Sequence, residues 1–368
     1  MKKGLIILLG IIGGIVGTII VILGGYVLYI SLQYYRIEDL KSYQADIVQN
    51  TDASVTMGHT YTITTYNIGF GAYNHNFSFF MDSGVMKDGT KVSGKDSRAA
   101  SKQVIMDNTK GVIDRIMSIN PDFALFQEVD VDSTRSYHMN QYQELQKFFS
   151  NMSNIYVPNF HSAYLFYPLF NPHGKVQSGI CTFSKYQIDT CIRHSLEISK
   201  AFPTKFFDLD RCFTASYIPI LNGKSLVIVN VHLSAYDEGG VYRQKQWKQL
   251  NAFLQREYQK GNYIVCGGDF NHDIANTVDK FDSNQFKPDW VYQLEESDLS
   301  NHFTFATDDT IGTCRSTDIP YEKGVNYTIV LDGFIVSDNI VVNRVKNIDT
   351  NFMYSDHNPV VMEFTIVE

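Results

Sequence analysis

The stretch Tyr263-Ile-Val-Cys-Gly-Gly-Asp-Phe-Asn271 joins a short apolar run to two polar residues. Tyr263 to Cys266 has strand character. Side chains alternate along a strand with a period of two, so Asp269 and Asn271 face one side just beyond its end. A lone Asp or Asn there is ordinarily a turn residue bonded to its own backbone. Recurrence of the pattern elsewhere in the chain changes that reading.

Asn67 follows the alternating run Tyr61-Thr-Ile-Thr-Thr-Tyr66, and Gln127-Glu128 follows Phe123-Ala-Leu-Phe126. His232 closes Leu226-Val-Ile-Val-Asn-Val-His-Leu233. Asp332 interrupts Ile329-Val-Leu-Asp-Gly-Phe-Ile-Val336, and Asp356-His357 stands just before the apolar run Val360 to Ile366. Further strand-like runs lie at Gly179 to Phe183 and Cys212 to Ile220. Helical spacing of apolar residues runs from Val104 to Ile119, and longer helical stretches are expected at Tyr137 to Phe149 and Tyr242 to Tyr258. Many strands with few interposed helices predict two packed sheets with helices outside. The recurring carboxylates, amides and imidazoles at strand ends sit where a sheet scaffold holds a site rigidly.

These segments, taken in order, resemble the endonuclease/exonuclease/phosphatase superfamily with its DNase I-like fold. The residues that carry the resemblance are Thr65-Tyr-Asn67, Gln127-Glu128, Asn230-Val-His-Leu233, Gly268-Asp-Phe-Asn271, Leu331-Asp332 with Phe334-Ile-Val-Ser337, and Ser355-Asp-His-Asn-Pro359. It covers the chain from Tyr61 to the C-terminus. It implies a four-layer α/β sandwich, two mostly antiparallel sheets flanked by helices, and hydrolysis of phosphoester bonds with a divalent metal, Mg²⁺ with Mn²⁺ as a substitute. Carried onto this sequence, it implies that Asn67, Glu128 and Asp356 hold the metal. Asp269 would orient or deprotonate the attacking water, Asn271 would hold that water or a phosphoryl oxygen, and His357, oriented by Asp332, would bind the phosphate with His232 as a second electrophile. Such roles match what the reaction needs: neutralised phosphoryl charge, an aligned water and a stabilised leaving oxygen. Arg211 could grip a phosphate with its fork of donors, or pair with neighbouring Asp210.

Outside these segments the chain is informative at its N-terminus. From Gly4 to Tyr35 no side chain ionises except tyrosine, and Leu5 to Leu32 is mostly Ile, Leu, Val and Gly. This exceeds the roughly 20 apolar residues that cross a bilayer as a helix. We read residues 4–35 as an uncleaved transmembrane helix, with a cleaved secretory signal or a buried core helix as the alternatives, 36–60 as a polar spacer and 61–368 as the catalytic domain. Lys2 and Lys3 favour an N-terminus inside the cell, which puts the catalytic domain on the outer side.

The 368 residues carry 31 Lys and Arg against 39 Asp and Glu, a net charge of −8. An acidic body repels phosphate backbones at long range, and there is no basic run of the kind that clamps duplex DNA. The expected substrate is a lipid headgroup or other small phosphoester beside the membrane. An extracellular nuclease of the same chemistry and an inactive binding module on the same fold are the alternatives. Cys181, Cys191, Cys212, Cys266 and Cys314 show no metal-binding spacing; Cys181 and Cys191 could face each other across a hairpin, or remain buried thiols. The long segment from Gly69 to Arg98, rich in aromatics, starts at Asn67 and is placed to wall or cover a cleft, its rings anchoring the loop.

Overall fold

Alternation along the central strands dictates the layering. In strand Thr60–Asn67, Tyr61 and Ile63 face one core while Tyr66 faces another; in strand Phe123–Asp130, Phe123 and Leu125 join the first and Ala124 and Phe126 the second. Strand Ser225–His232 behaves likewise, with Leu226 and Ile228 in that same first core and Val227, Val229 and Val231 in a third. Strands buried on both faces need a layer on each side. A computed structural model describing residues 2–46, 54–235 and 237–367 shows this arrangement.

A six-stranded sheet runs in the order Ile340–Asn347, Val360–Ile366, Thr60–Asn67, Phe123–Asp130, Gly174–Ser184, Ser153–Leu165. A seven-stranded sheet runs Ser42–Tyr43, Thr190–Ser195, Cys212–Pro219, Ser225–His232, Tyr263–Asp269, Asp332–Ser337, Phe303–Ala306. Most neighbours are antiparallel; Thr60–Asn67 with Phe123–Asp130, and Ser225–His232 with Tyr263–Asp269, are parallel. The core between the sheets includes Ile63, Leu125, Val265 and Phe334.

Helix α1 is Lys2–Gln33, α2 Lys102–Ile119, α3 Gln141–Phe148 and α4 Val241–Gln259. The α2 stripe Val112, Ile113 and Ile116 and α3 residue Leu145 cover the outer face of the first sheet. On the second sheet the outer face is covered by Trp247, Leu250, Phe253 and Leu254 of α4. Ser101 caps α2 by accepting the Val104 N–H at 3.2 Å, and Asn120 ends it in the left-handed conformation. The result is the four-layer α/β sandwich.

Two expectations need correction, and of the two cysteine readings the buried thiols hold. The helix expected from Tyr137 starts only at Gln141, because Tyr137 and His138 have φ of 53° and 58° and Asn140 supplies the cap. Part of the spacer is built into the fold: Ser42 and Tyr43 pair with Ile192 and Cys191, Ile37 and Val55 are buried, and Arg36 pairs with Asp210 at 2.8 Å. Residues 47–53 of that spacer lie outside the described residues. Cys181 and Cys191 do not face each other across a hairpin, since they lie on strands of different sheets, and all five cysteines are free and buried. Helix α1 is long and apolar enough to cross a membrane, with none of its most apolar window buried. Its last turns rest on strand Ser153–Leu165, where Tyr26 Oη donates to the Tyr164 carbonyl at 3.1 Å.

Candidate active site

Register places the polar residues. In the seven-stranded sheet His232 lies opposite Asp269, and Asp269 opposite Asp332, so three adjacent strands present one row. Gly268, one residue earlier, has φ of +154°, and a Cβ there would sit 2.0 Å from the Val231 carbonyl oxygen, so only glycine lets these strands approach.

The six-stranded sheet supplies the other half. Asn67 pairs with Gln127 at the ends of parallel strands. The strand carrying Glu128 loses register with Gly174–Ser184 between Phe126 and Val129, and Glu128 takes φ of 57°. A bulge with a left-handed residue re-aims the side chain, here off the strand line and into the pocket. His357 forms an isolated bridge with Cys314 just before strand Val360–Ile366, and Ser355 Oγ donates to the Asn67 carbonyl at 2.8 Å, tying that loop to the end of Thr60–Asn67.

The two halves meet side chain to side chain. Asn67 Nδ2 donates to Asp269 Oδ2 at 3.0 Å. Asp269 Oδ1 accepts the Asn271 backbone N–H at 2.9 Å. Asn271 Nδ2 donates to the Leu233 carbonyl at 2.8 Å and to Asp269 Oδ2 at 3.2 Å. Both Asn271 amide hydrogens are therefore spent, leaving only its carbonyl oxygen to offer. His232 Nε2 lies 3.5 Å from Asp269 Oδ2 and 3.7 Å from Glu128 Oε1. His357 Nδ1 is 2.8 Å from Asp332 Oδ2, a carboxylate partner that requires the proton on Nδ1, and its Nε2 is 3.8 Å from Asp269 Oδ2. Asp332 is fixed through its backbone N–H, which donates to Thr313 Oγ1 at 3.0 Å.

Burial and charge set the protonation states. Burial pushes the Glu128 carboxyl up to about 8, reinforced by the negative charge of Asp356. Burial also raises Asp356, and raises Asp332 to about 6. His357 is raised well above its ordinary range: burial opposes its charge, but Asp332 and other neighbours outweigh that. His232 is pushed far below its usual range by burial and by the charges of Arg211 and His357, so it is neutral.

Two groupings can be tested for a cation. Asp269, Asp332 and His357 offer atoms all within 4.8 Å of one another. The imidazole is already hydrogen-bonded to the Asp332 carboxylate, so this grouping is an acid, imidazole, acid array. Asn67, Glu128 and Asp356 instead supply oxygen donors only, and the negative charge of Asp356 adds to burial in raising the proton affinity of Glu128, a strain that a hard divalent cation relieves. Asn67 Oδ1 accepts the Gly69 N–H at 3.0 Å and retains a second lone pair. The donor set fits.

Arg211 does not pair with Asp210, which is taken by Arg36 and Arg193. Arg211 Nη1 donates to the Leu233 carbonyl at 2.8 Å, the carbonyl that also receives Asn271, and its buried Nε has no hydrogen-bond partner. The Gly69 to Arg98 segment is anchored by its rings as expected, with Phe70, Tyr73 and Phe77 in one cluster.

Residues 64–357 match the Endonuclease/Exonuclease/phosphatase family. The chain belongs to this family. Members of the endonuclease/exonuclease/phosphatase family are generally phosphoester hydrolases that depend on a divalent metal. Among solved structures, the endonuclease/exonuclease/phosphatase from Beutenbergia cavernae DSM 12333 is similar with a TM-score of 0.57 at 14% identity, over 84% of this chain and 72% of that one. The human Nocturnin catalytic domain with bound sulfate anion is similar with a TM-score of 0.52 at 16% identity, over 84% of this chain and 95% of that one. At such identities the likeness is one of fold. No curated protein matches the chain in sequence.

Several supporting residues escaped the sequence reading. Gln127 Nε2 donates to Asn230 Oδ1 at 2.8 Å, and Asn230 Nδ2 donates to the Cys181 carbonyl at 2.9 Å, a buried polar clamp between the sheets. Both residues lie in the quoted motifs, but nothing local says that they meet. Asp130 and Arg135, five apart, form a buried ion pair at 3.0 Å with the guanidinium 3.2 Å from the Phe70 ring centre. Fully buried Arg315 donates to the carbonyls of Asn74 and Phe77, pinning the loop after Asn67.

Proposed function

We propose that the protein is a membrane-tethered phosphoester hydrolase that uses Mg²⁺, with Mn²⁺ as a substitute, and acts on a lipid headgroup or other small phosphoester at the outer face of the membrane. One observation carries the reading: the His357 and Asp332 pair lies with Asp269 within 4.8 Å, Asn67 reaches Asp269 from the other sheet, and Glu128 lies 3.7 Å from His232. A binding module has no use for an aspartate held beside a cationic imidazole.

Asn67, Glu128 and Asp356 would hold the cation. When bound, it offsets negative charge on the phosphoryl oxygens and lowers the proton affinity of water. Asp269, aligned by Asn67 Nδ2 and the Asn271 N–H, accepts the proton of the attacking water. Asn271 has only an acceptor left, so it holds that water rather than a phosphoryl oxygen. His357, kept cationic and oriented by Asp332, donates from Nε2 to the phosphoryl group as charge builds up there. Neutral His232 stands on the opposite side of Asp269 as a second donor, and Arg211 stands behind it to meet a phosphate. The acidic surface favours a compact phosphoester over a polyanion.

The test is a substrate panel on the full chain in detergent micelles: bis-p-nitrophenyl phosphate, sphingomyelin and plasmid DNA, each with Mg²⁺, with Mn²⁺ and with a chelator. Metal-dependent turnover of the first two supports the reading. Plasmid nicking without lipid turnover replaces the lipid substrate by nucleic acid, and inactivity on all three leaves a binding module.

A further inference from the structure

Among the described residues, several large exposed apolar side chains outside α1 gather at one hairpin tip, distinct from the residues assigned to the chemistry. The hairpin joining Ser153–Leu165 to Gly174–Ser184 ends in Phe166-Tyr-Pro-Leu-Phe170, where Phe170 is 96% and Leu169 75% exposed, with Phe166 and Tyr167 also in the open. Exposed Phe202 lies on the neighbouring loop, its ring 5.8 Å from that of Phe206. A soluble surface rarely leaves so many large apolar side chains together.

This patch is continuous with α1. The Phe166 ring meets the edge of Tyr26 at 5.6 Å, and the Tyr164 N–H donates to Tyr29 Oη at 3.3 Å. Ile30 is buried with Ala163 and Phe206, and Tyr34 packs edge-on against Phe206 at 5.3 Å. His161 stacks on Tyr35 with ring centres 3.8 Å apart, and Arg36 closes the contact through Asp210. The helix therefore does not leave the body on a free linker; its last turns are docked along the hairpin.

Helix geometry gives the depth of the tip. A hydrocarbon core of about 30 Å takes about 20 residues of helix, so a span starting near Leu5 ends near Gly25. Tyr26 and Tyr29 then lie at the boundary between acyl chains and headgroups, where tyrosine is enriched. Phe166, touching Tyr26, lies at that same level, and Tyr167, Leu169 and Phe170 follow it.

Strand direction says which end of the body this is. Asp130, two residues past Glu128, lies opposite Ser178, which lies opposite Phe160; the hairpin then continues to Leu165 and Gly174, beyond the sheet at the end that carries Asn67 and Glu128. The tip is also tied to the loop that follows Asn67: Tyr167 packs on Phe80 at 5.7 Å, His173 Nδ1 lies 2.8 Å from the Ser97 carbonyl oxygen, and Ser97 Oγ donates to the Asn171 carbonyl.

We propose that the tip Phe166-Tyr-Pro-Leu-Phe170, with Phe202, is a second membrane contact that enters the headgroup boundary of the leaflet where α1 emerges, and holds the catalytic end of the sandwich toward the bilayer. The occupant is the lipid surface, because the patch continues the flank of a helix that needs lipid around it. The inference rests on reading α1 as a membrane span and deepens the proposed function: a body held this way draws its phosphoester from the membrane plane.

The test places Phe170→Trp in the full chain, reconstituted into phosphatidylcholine vesicles whose acyl chains carry bromine at defined depths. The parent chain, with Trp247 and Trp290 only, is the baseline. The matched control is Leu221→Trp, 79% exposed on the turn at the opposite end of the sandwich. The added emission from Phe170→Trp is expected to be blue-shifted and quenched at least twofold by shallow bromines, and that from Leu221→Trp to be unaffected. Alkaline carbonate extraction of the same vesicles reads the tether separately. A chain that resists extraction while Phe170→Trp stays unquenched overturns the second contact and leaves the tether standing. A chain that is extracted defeats the tether, and with it the membrane span on which the depth of the tip rests. As a second variant, Leu169→Asp with Phe170→Asp should keep turnover of bis-p-nitrophenyl phosphate in detergent while losing at least fivefold on sphingomyelin in phosphatidylcholine vesicles; equal rates on those vesicles would count against the proposal.

Discussion

Glu128 should give up a proton when the metal arrives. Its carboxyl is pushed up to about 8 by burial and by Asp356, though the side chain keeps 14% of its surface open to solvent. At pH 7 a group with that affinity is about 90% protonated, and a cation that needs the carboxylate must displace the proton at a cost of about 1.4 kcal/mol per pH unit below 8. Affinity for Mn²⁺ should therefore weaken about tenfold for each unit between pH 8 and pH 6. Calorimetric titration of the full chain with Mn²⁺ at pH 7, in two buffers of different ionisation enthalpy, should count about 0.9 proton released per site. Glu128→Gln should bind Mn²⁺ at least tenfold more weakly and release no proton from this position. Stability follows the same linkage. Between pH 4.5 and 8 the folded, metal-free chain holds a proton that the unfolded chain has lost, so rising pH lowers metal-free stability through that window, and saturating Mg²⁺ should flatten the decline. Release near zero at pH 7, or unchanged affinity in Glu128→Gln, would remove Glu128 from the metal site.

If the imidazole acts as the proposed donor to the phosphoryl group, His357→Ala should lower kcat by about 10²- to 10⁴-fold while leaving Mn²⁺ affinity within a few-fold; a rate near that of the parent would make the histidine structural. Gln127→Leu strands the buried Asn230 carbonyl oxygen and should cost about 1–3 kcal/mol, read as a fall of several degrees in Tm. Adding Asn230→Leu should recover part of that loss, because two apolar groups leave fewer unmet partners. The five cysteines, all buried, with Cys212 pushed up to about 11 and Cys191 and Cys314 to about 12, should not react with Ellman's reagent at pH 8 until the chain is unfolded, and then all five should.

Much of the fold and most of the pocket were legible because strands announce themselves locally. Period-two alternation at Tyr61 to Tyr66 and at Leu226 to His232 is a property of a few consecutive residues. The polar residue that ends each run is visible without knowing its neighbour. What stayed hidden depends on pairing. Register alone sets His232, Asp269 and Asp332 in a row, and the two Asn271 donors are seen to be spent only once the Leu233 carbonyl is in place. The bulge that turns Glu128 inward is a mismatch between two strands and leaves no mark on either. The late start of α3 and the pairing of Ser42–Tyr43 failed for the same reason: a left-handed pair at Tyr137 and His138 and a two-residue strand are too short to outweigh local propensity.

Ownership of the site is divided between the layers: the six-stranded sheet and its loops carry Asn67, Glu128, Asp356 and His357, and the seven-stranded sheet carries His232, Asp269 and Asp332. Their alignment is thus a matter of how two slabs rest on each other, across a filling that includes Leu125 and Phe334. Reshaping either of those remote side chains would slide one slab over the other and detune the reaction with every catalytic atom still present. Evolution therefore has a dial for turnover that lies wholly in the interior, away from anything a substrate can feel.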